Sequence, residues 1–390
     1  MEEINLKQFR CVLAENKVYD AWSYVESLSE ILSYMEVTYQ GICKVRENTL
    51  SQIEKVNMKK HEDLENGKTV YLTSEDFRKT DIDICGLELS EAIYLRKSII
   101  EFFHYARIGM DRLFLVINSS LLGESAIQPY KKGFIKKMLS KLDQKDEFKE
   151  ISKELGAIND HDVYTYLRRF DNYTKHMNNV LVTINNPFFL CTNSQFTLGG
   201  FSGEERINGV NIKYSYNQIN ANDQMEKVRK YINETINDIL IKVQEKIPNC
   251  TGNKNRIQKL RFKMQCKEME DGKLVTDYVS YFIEVDNGLQ DIPREIKLCP
   301  IMILPNNEVE CFDFNFDKIF ICKKGTESVI GCAELKEDSK DRVYKTYEVK
   351  QCQMIDYIKY IDEFKENYTA CSINGAMEGS IVTYKCPPTK

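Results

Sequence analysis

No apolar run in this chain approaches the roughly 20 residues that a membrane-spanning helix requires, so no membrane anchor is expected. The start, MEEINLKQFR, is acidic and polar and lacks the apolar core of a secretory signal, which predicts a cytoplasmic protein. None of the 13 cysteines stands in a C-x2-C pair, and no histidine follows His176. Zinc knuckles, dithiol redox motifs and late Cys/His sites are therefore not expected. The thiols read as small apolar side chains in a reducing compartment, with no metal and no cofactor. The glycine cluster Gly199-Gly200…Gly203 lacks the Gly-Lys-Ser/Thr ending of a phosphate-binding loop. Positive charge is not in excess either: the net charge of −5 argues against a generally basic nucleic-acid coat. A local basic patch is still allowed, because phosphate contacts need only a few well-placed Lys and Arg.

A length of 390 residues exceeds one ordinary core and predicts two or three domains. Helical periodicity dominates the first part. Segments at 6–14 and 18–56 precede a charged tail ending in Asn66-Gly67. A connector at 68–88, with a short strand at 70–72, leads to Ser90, which opens a helix over 91–122. That helix is apolar around most of its circumference, as a central bundle helix is. Glu101, His104, Arg107, Asp111 and Arg112 interrupt it, with Arg107 and Asp111 one turn apart. After 187–222, read as loops and strands, another amphipathic helix is expected at 223–247, ended by Pro248-Asn249. From 251 the pattern changes to short β-rich runs at 260–267, 279–285, 301–304, 309–316 and 319–322, then a helix at 354–364 and a strand at 381–384. The expected fold class is α+β: an all-α bundle over 1–247, followed by a smaller β-rich domain over 255–390.

Residues 162–184 carry the best helical period in the chain. At 100° per residue, Val163, Tyr166, Leu167, Phe170, Tyr173, Met177, Val180, Leu181 and Ile184 form one apolar stripe. Asn159 or Asp160 is the expected cap, and Asn185-Asn186-Pro187 the stop. Arg169 and His176 project within about 20° of each other at the rim of the stripe, with Asn172 behind them.

This Arg169-FDNYTK-His176 border has the form of the Arg-x(4–6)-His signature, and the segment resembles the motif helix of the HEPN superfamily. The resemblance covers about residues 85–185. It implies a helical bundle that cleaves RNA without a metal, as toxins and antiviral effectors of this class do, working as a homodimer through the motif helices. An antitoxin or other regulatory partner is compatible with it. Where the family often has a polar residue after the Arg, Phe170 stands here, and Asp171 and Asn172 are the nearest polar groups. The implied catalytic residues are His176 as general acid or base, Arg169 as phosphorane stabiliser and Asn172 as orienting group, with Glu101 and His104 as helpers from the preceding helix. The products would be a 2′,3′-cyclic phosphate and a 5′-hydroxyl.

Just before the motif, Lys131, Lys132, Lys136 and Lys137 lie in a lysine-rich amphipathic stretch, and Lys175 lies within the motif. These are the candidate RNA-phosphate contacts. The competing reading is a non-catalytic nucleotide- or protein-binding scaffold whose β-rich half does the recognition.

Overall fold

Local capping explains where the helices begin. In the computed structural model, helix α1 (Leu6–Glu15) starts on Asn5, whose side-chain oxygen accepts from the N–H groups of Lys7 and Gln8 at 3.0 and 3.3 Å. The structure describes the chain except for residues 1–4, 17, 19–20, 72–80, 85, 123–125, 130, 186–194, 208, 250–254, 269–273, 304–308, 312–315, 327, 340–344, 358–370 and 383–390. Helix α2 (Trp22–Glu65) is followed by a hairpin of β1 (Asp81–Ile84) and β2 (Leu87–Ser90), then by α3 (Glu91–Leu122). The strand expected at 70–72 is absent at Val70 and Tyr71, and Leu72 lies outside the described residues.

Tyr34 meets Tyr105 and Tyr39 meets Phe102, so α2 and α3 run antiparallel. Their approach is close at Gly41, where a β-carbon would lie 2.6 Å from the Tyr94 hydroxyl. The lysine-rich stretch forms α4 (Phe134–Leu142) and, after a turn at Asp146–Phe148, α5 (Lys149–Ile158).

Next comes α6 (Asp162–His176), which is shorter than its periodicity predicts. Its cap is His161 rather than Asn159 or Asp160, with Nδ1 accepting from the Val163 N–H at 3.3 Å. The helix stops where Asn178 competes for backbone, its side chain accepting from the Asn179 N–H at 2.8 Å. Beyond it, Val180 and Val182 are buried while Leu181 between them is exposed, a period of two rather than 3.6. Val182-Thr183-Ile184 is β-branched throughout and forms β3 (Val182–Asn185). Met177, Leu181 and Ile184 therefore do not extend the helical stripe, and Met177 is 73% exposed.

The part expected to be all-α also carries strands. β3 pairs with β4 (Gln195–Leu198), and β4 with β7 (Ile219–Asn220). β5 (Phe201–Ile207) and β6 (Val210–Tyr216) form a separate antiparallel hairpin whose tight end includes Gly209 at φ 86°. In β6, Val210, Ile212, Tyr214 and Tyr216 give the β-branched and aromatic alternation that favours a strand. Helix α7 (Ala221–Lys246) starts on Asn220, whose side chain accepts from the N–H groups of Asn222 and Asp223.

The remaining strands are β8 (Asn255–Glu268), β9 (Leu274–Val285), β10 (Glu295–Ile303), β11 (Val309–Cys311), β12 (Lys318–Lys323), β13 (Val329–Leu335), β14 (Lys345–Gln351) and β15 (Cys371–Val382). They form one sheet in the order β11-β10-β14-β13-β12-β9-β8-β15, and β15 pairs again with β10, so the sheet closes into a ring. β12 and β9 are parallel; the other pairs are antiparallel.

Alternation sorts the side chains of this ring. Ile283, Ile319, Ala333 and Tyr347 join Leu260, Ile296 and Leu298 in one core, while Phe282, Phe320, Cys322 and Cys332 face a second. A helical turn at 354–357 covers the second core, with Tyr357 edge-on to Phe320 and Phe282. The rest of the helix expected at 354–364 lies outside the described residues. Of the expected final strand, Ile381 and Val382 belong to β15.

The chain is thus α+β. Its contacts define two compact units: Met1–Val25, Leu115–Lys141 and Val243–Lys390 form one, and Glu26–Phe114 with Leu142–Lys242 the other. The units are not the two consecutive stretches 1–247 and 255–390. Among the described residues, no helix is long and apolar enough to cross a membrane.

Candidate acid–base site on the motif helix

The packing of α6 determines which of its polar side chains meet a partner. Phe170 is fully buried and its ring centre lies 4.4 Å from that of Phe103 on α3. This contact sets the register of the two helices, and the next residue on each, Asp171 and His104, falls opposite the other. His104 Nδ1 lies 2.9 Å from Asp171 Oδ1. The second Asp171 oxygen accepts from Lys175 Nζ at 2.8 Å, one turn further along α6. Asp171 is only 4% exposed, whereas the His104 ring is 36% exposed.

A carboxylate cannot donate, so the Asp171 contact places a proton on His104 Nδ1. In the neutral ring this leaves the Nε2 lone pair free. Nε2 has no hydrogen-bond partner among the described residues. A buried carboxylate, a half-exposed imidazole fixed in one tautomer and an adjacent ammonium are the parts of a general-base site.

More cations stand nearby. Arg107, one turn after His104, pairs with Asp111 and lies over the Tyr164 ring at 5.3 Å. Burial opposes the charge on Arg107, but the fields of Tyr164, Asp111 and Asp171 outweigh it and raise its pKa. Burial pushes the Tyr164 hydroxyl up to about 12, so this phenol stays neutral, and Arg107 and Arg168 partly oppose that shift. Arg168 and Lys175 are seven residues apart on α6 and project within about 20° of each other, flanking Asp171.

Arg169 turns instead toward the β5–β6 hairpin. Its Nε donates to Glu205 Oε1 at 2.8 Å and its Nη1 to the Tyr216 hydroxyl at 3.1 Å, while the guanidinium stacks over Tyr214 at 4.7 Å. Burial works against its charge, yet the bonds to Tyr216 and Glu205 prevail and raise its pKa. Glu205 also pairs with Arg168 at 3.0 Å.

The other expected site residues are placed as follows. His176 ends α6 and is exposed, with no hydrogen bond to a described residue, and Asn172 is exposed beside it. Glu101 is ion-paired with Lys97 at 2.6 Å. Lys131 and Lys132 precede α4 while Lys136 and Lys137 lie on it; all four are exposed and belong to the other compact unit. The shared helix edge therefore does not make Arg169 and His176 a joined pair: one is built into the hairpin contact and the other stands free. Sequence reasoning noted Asp171 without a partner and missed Arg168, Glu205, Tyr214 and Tyr216. The alternation of Tyr214 and Tyr216 on one strand face was the available signal for the last two.

Among the described residues, no three His, Cys, Asp or Glu side chains gather as metal ligands. Comparison with known protein families, curated proteins and solved structures finds no match to this chain.

Proposed function

We propose that the helical unit cleaves RNA without a metal, with His104 as the general base and Asp171 as its orienting carboxylate. The observation that supports this reading is the 2.9 Å contact between the half-exposed His104 ring and the buried Asp171. His104 Nε2 would take the proton of a ribose 2′-hydroxyl. The 2′-oxygen then bonds to phosphorus, the bond to the 5′-oxygen breaks, and a 2′,3′-cyclic phosphate and a 5′-hydroxyl result. Lys175 and Arg168, flanking Asp171, would balance the charge on the phosphorane oxygens. The leaving 5′-oxygen needs a proton from an acid. The exposed His176 at the end of α6 suits that role if two copies pair through this helix.

A second reading is favoured by one observation. Arg169 is braced by Glu205, Tyr214 and Tyr216, as a structural arginine is, which fits a binding module that does not cleave. Incubating a labelled single-stranded RNA with the full chain in EDTA separates the two. Cleavage that is lost in His104→Ala and Asp171→Asn with folding intact supports the base assignment. Loss confined to His176→Ala returns the base to the motif position. An inert wild type favours the binding module.

A further inference from the structure

Two arginines share one carboxylate beneath the β5–β6 hairpin. Arg168, Arg169 and Glu205 are 23%, 16% and 15% exposed, so the group keeps one uncompensated positive charge in a largely covered place. Of the tyrosines around it, Tyr214 and Tyr164 supply no negative charge, because burial raises their pKa. The two arginines are not equally served. Arg169 has Glu205, Tyr216 and the Tyr214 ring. Arg168 has Glu205, and its buried Nε has no hydrogen-bond partner among the described residues. A covered surplus cation with an orphan donor is costly to maintain unless an anion completes it.

The element that carries Glu205 is lightly held. Among the described residues the hairpin pairs only with itself. Its root residues Phe201, Tyr214 and Tyr216 contact α6 residues, whereas Ile212 and Val210, further out on the same strand face as Tyr214, are exposed. A two-stranded ribbon without further support is marginal in water.

We infer that Arg168 and Arg169 form a phosphate-binding pair and that Glu205 is an internal carboxylate occupying it. Carboxylate and phosphate oxygens offer a guanidinium fork the same bonding geometry. A free phosphate carries more acceptor oxygens and more charge than a carboxylate, so it can take up the surplus that Glu205 leaves; a backbone phosphodiester, with one charge and two free oxygens, replaces Glu205 one for one. The ligand is a phosphate group, free or within an RNA backbone. Only the RNA source rests on the cleavage reading above; phosphate capture stands without it.

The experiment compares the wild-type chain with Glu205→Gln and with Arg168→Ala/Glu205→Gln, by calorimetric titration with inorganic phosphate and, separately, with a short single-stranded RNA. Glu205→Gln is expected to bind phosphate at least about tenfold tighter than wild type, and the double variant to lose that gain. Phosphate should also raise the melting midpoint of Glu205→Gln more than chloride does at equal ionic strength. An RNA that gains affinity in parallel identifies a backbone phosphate as a source; a gain for inorganic phosphate alone identifies a free one. Phosphate affinity unchanged by Glu205→Gln, or equal stabilisation by phosphate and chloride, overturns the proposal. If Glu205→Gln does not fold, Glu205→Asp, which withdraws the carboxylate by one methylene, must show the same phosphate preference in smaller degree, and its absence is equally fatal. Because binding is read without turnover, a chain that binds phosphate but leaves RNA intact refutes the nuclease and not this site.

Discussion

Replacing Asp171 by Asn removes one negative charge and almost no volume from a position that is 4% exposed, so its effects on folding and on chemistry should separate. Asp171 accepts two hydrogen bonds, from His104 Nδ1 and from Lys175 Nζ. An amide has one acceptor and two donors, so it cannot serve both. If its oxygen meets Lys175, its NH2 faces His104 and forces Nδ1 to accept. The ring proton then moves to Nε2, and the base is gone. If the oxygen meets His104, the half-exposed Lys175 must swing into solvent.

The charge-assisted His104 bond contributes about 1.5–3 kcal/mol, and the Lys175 pair, whose ammonium is half-exposed, about 0.2–1 kcal/mol. Relief from burying a charge offsets part of that sum, so we expect a net loss of no more than about 2 kcal/mol. The rate should fall by about 100-fold or more, the usual worth of a positioned base. Single-turnover RNA cleavage in EDTA, with a melting curve on each sample, measures both. His104→Ala combined with Asp171→Asn should be little worse than either alone, since both disable one base. A variant that cleaves at the wild-type rate, or rate losses that simply add in the double variant, would refute the pairing.

Phe170→Ala should cost about 3–5 kcal/mol, because the ring is fully buried against Phe103, Tyr166 and Phe201, whereas Met177→Ala should stay within about 0.5 kcal/mol. Chemical denaturation of the two variants checks the contrast. Glu36 has its pKa lowered by the hydrogen bond from Arg229, which prevails over burial. Its contribution is therefore present above the usual carboxylate range and lost as pH falls through the depressed value. The stability gap between wild type and Glu36→Gln should accordingly be seen at pH 7 and close in strong acid; a gap that persists there would contradict it. If Lys131, Lys132, Lys136 and Lys137 touch RNA phosphates, neutralising all four should flatten the log–log salt dependence of binding by about 3. An unchanged slope makes them an ordinary solvated face.

Much of the helical framework was legible because its cues are local. Ser90 before α3 and the polar residues around the start of α7 mark helix starts within a few residues of where they occur. The end of α6 misled for a reason of arithmetic: the segment leading into β3, with alternate buried valines at 180 and 182, can extend a helical stripe on a wheel. His104 stood out as a polar interruption on an apolar helix. Its partner 67 residues away was decided by the Phe103–Phe170 contact, which no local pattern encodes. The same holds for Arg169 and Glu205, 36 residues apart. In the β-rich part the β-rich composition of β8, β9 and β12 was visible, but β13 and β14 were not singled out. The closing of the ring depends on register between β10 and β15, strands far apart in the chain.

That closing strand has a consequence for the order of synthesis. β15 is the last described strand to emerge, yet it seals the edge of β8 from Asn255 to Cys266 and one edge of β10. Until Cys371–Val382 leaves the ribosome, both edges offer unpaired N–H and C=O groups to any neighbouring chain. At about 5–20 residues per second, the interval between β8 and β15 lasts several seconds to some tens of seconds. During that time the nascent ring is an open template, and a chain cut before β15 would remain one. Such a fragment should collect in aggregates, where the full chain, with its ring shut, has no such edge at β8 to offer.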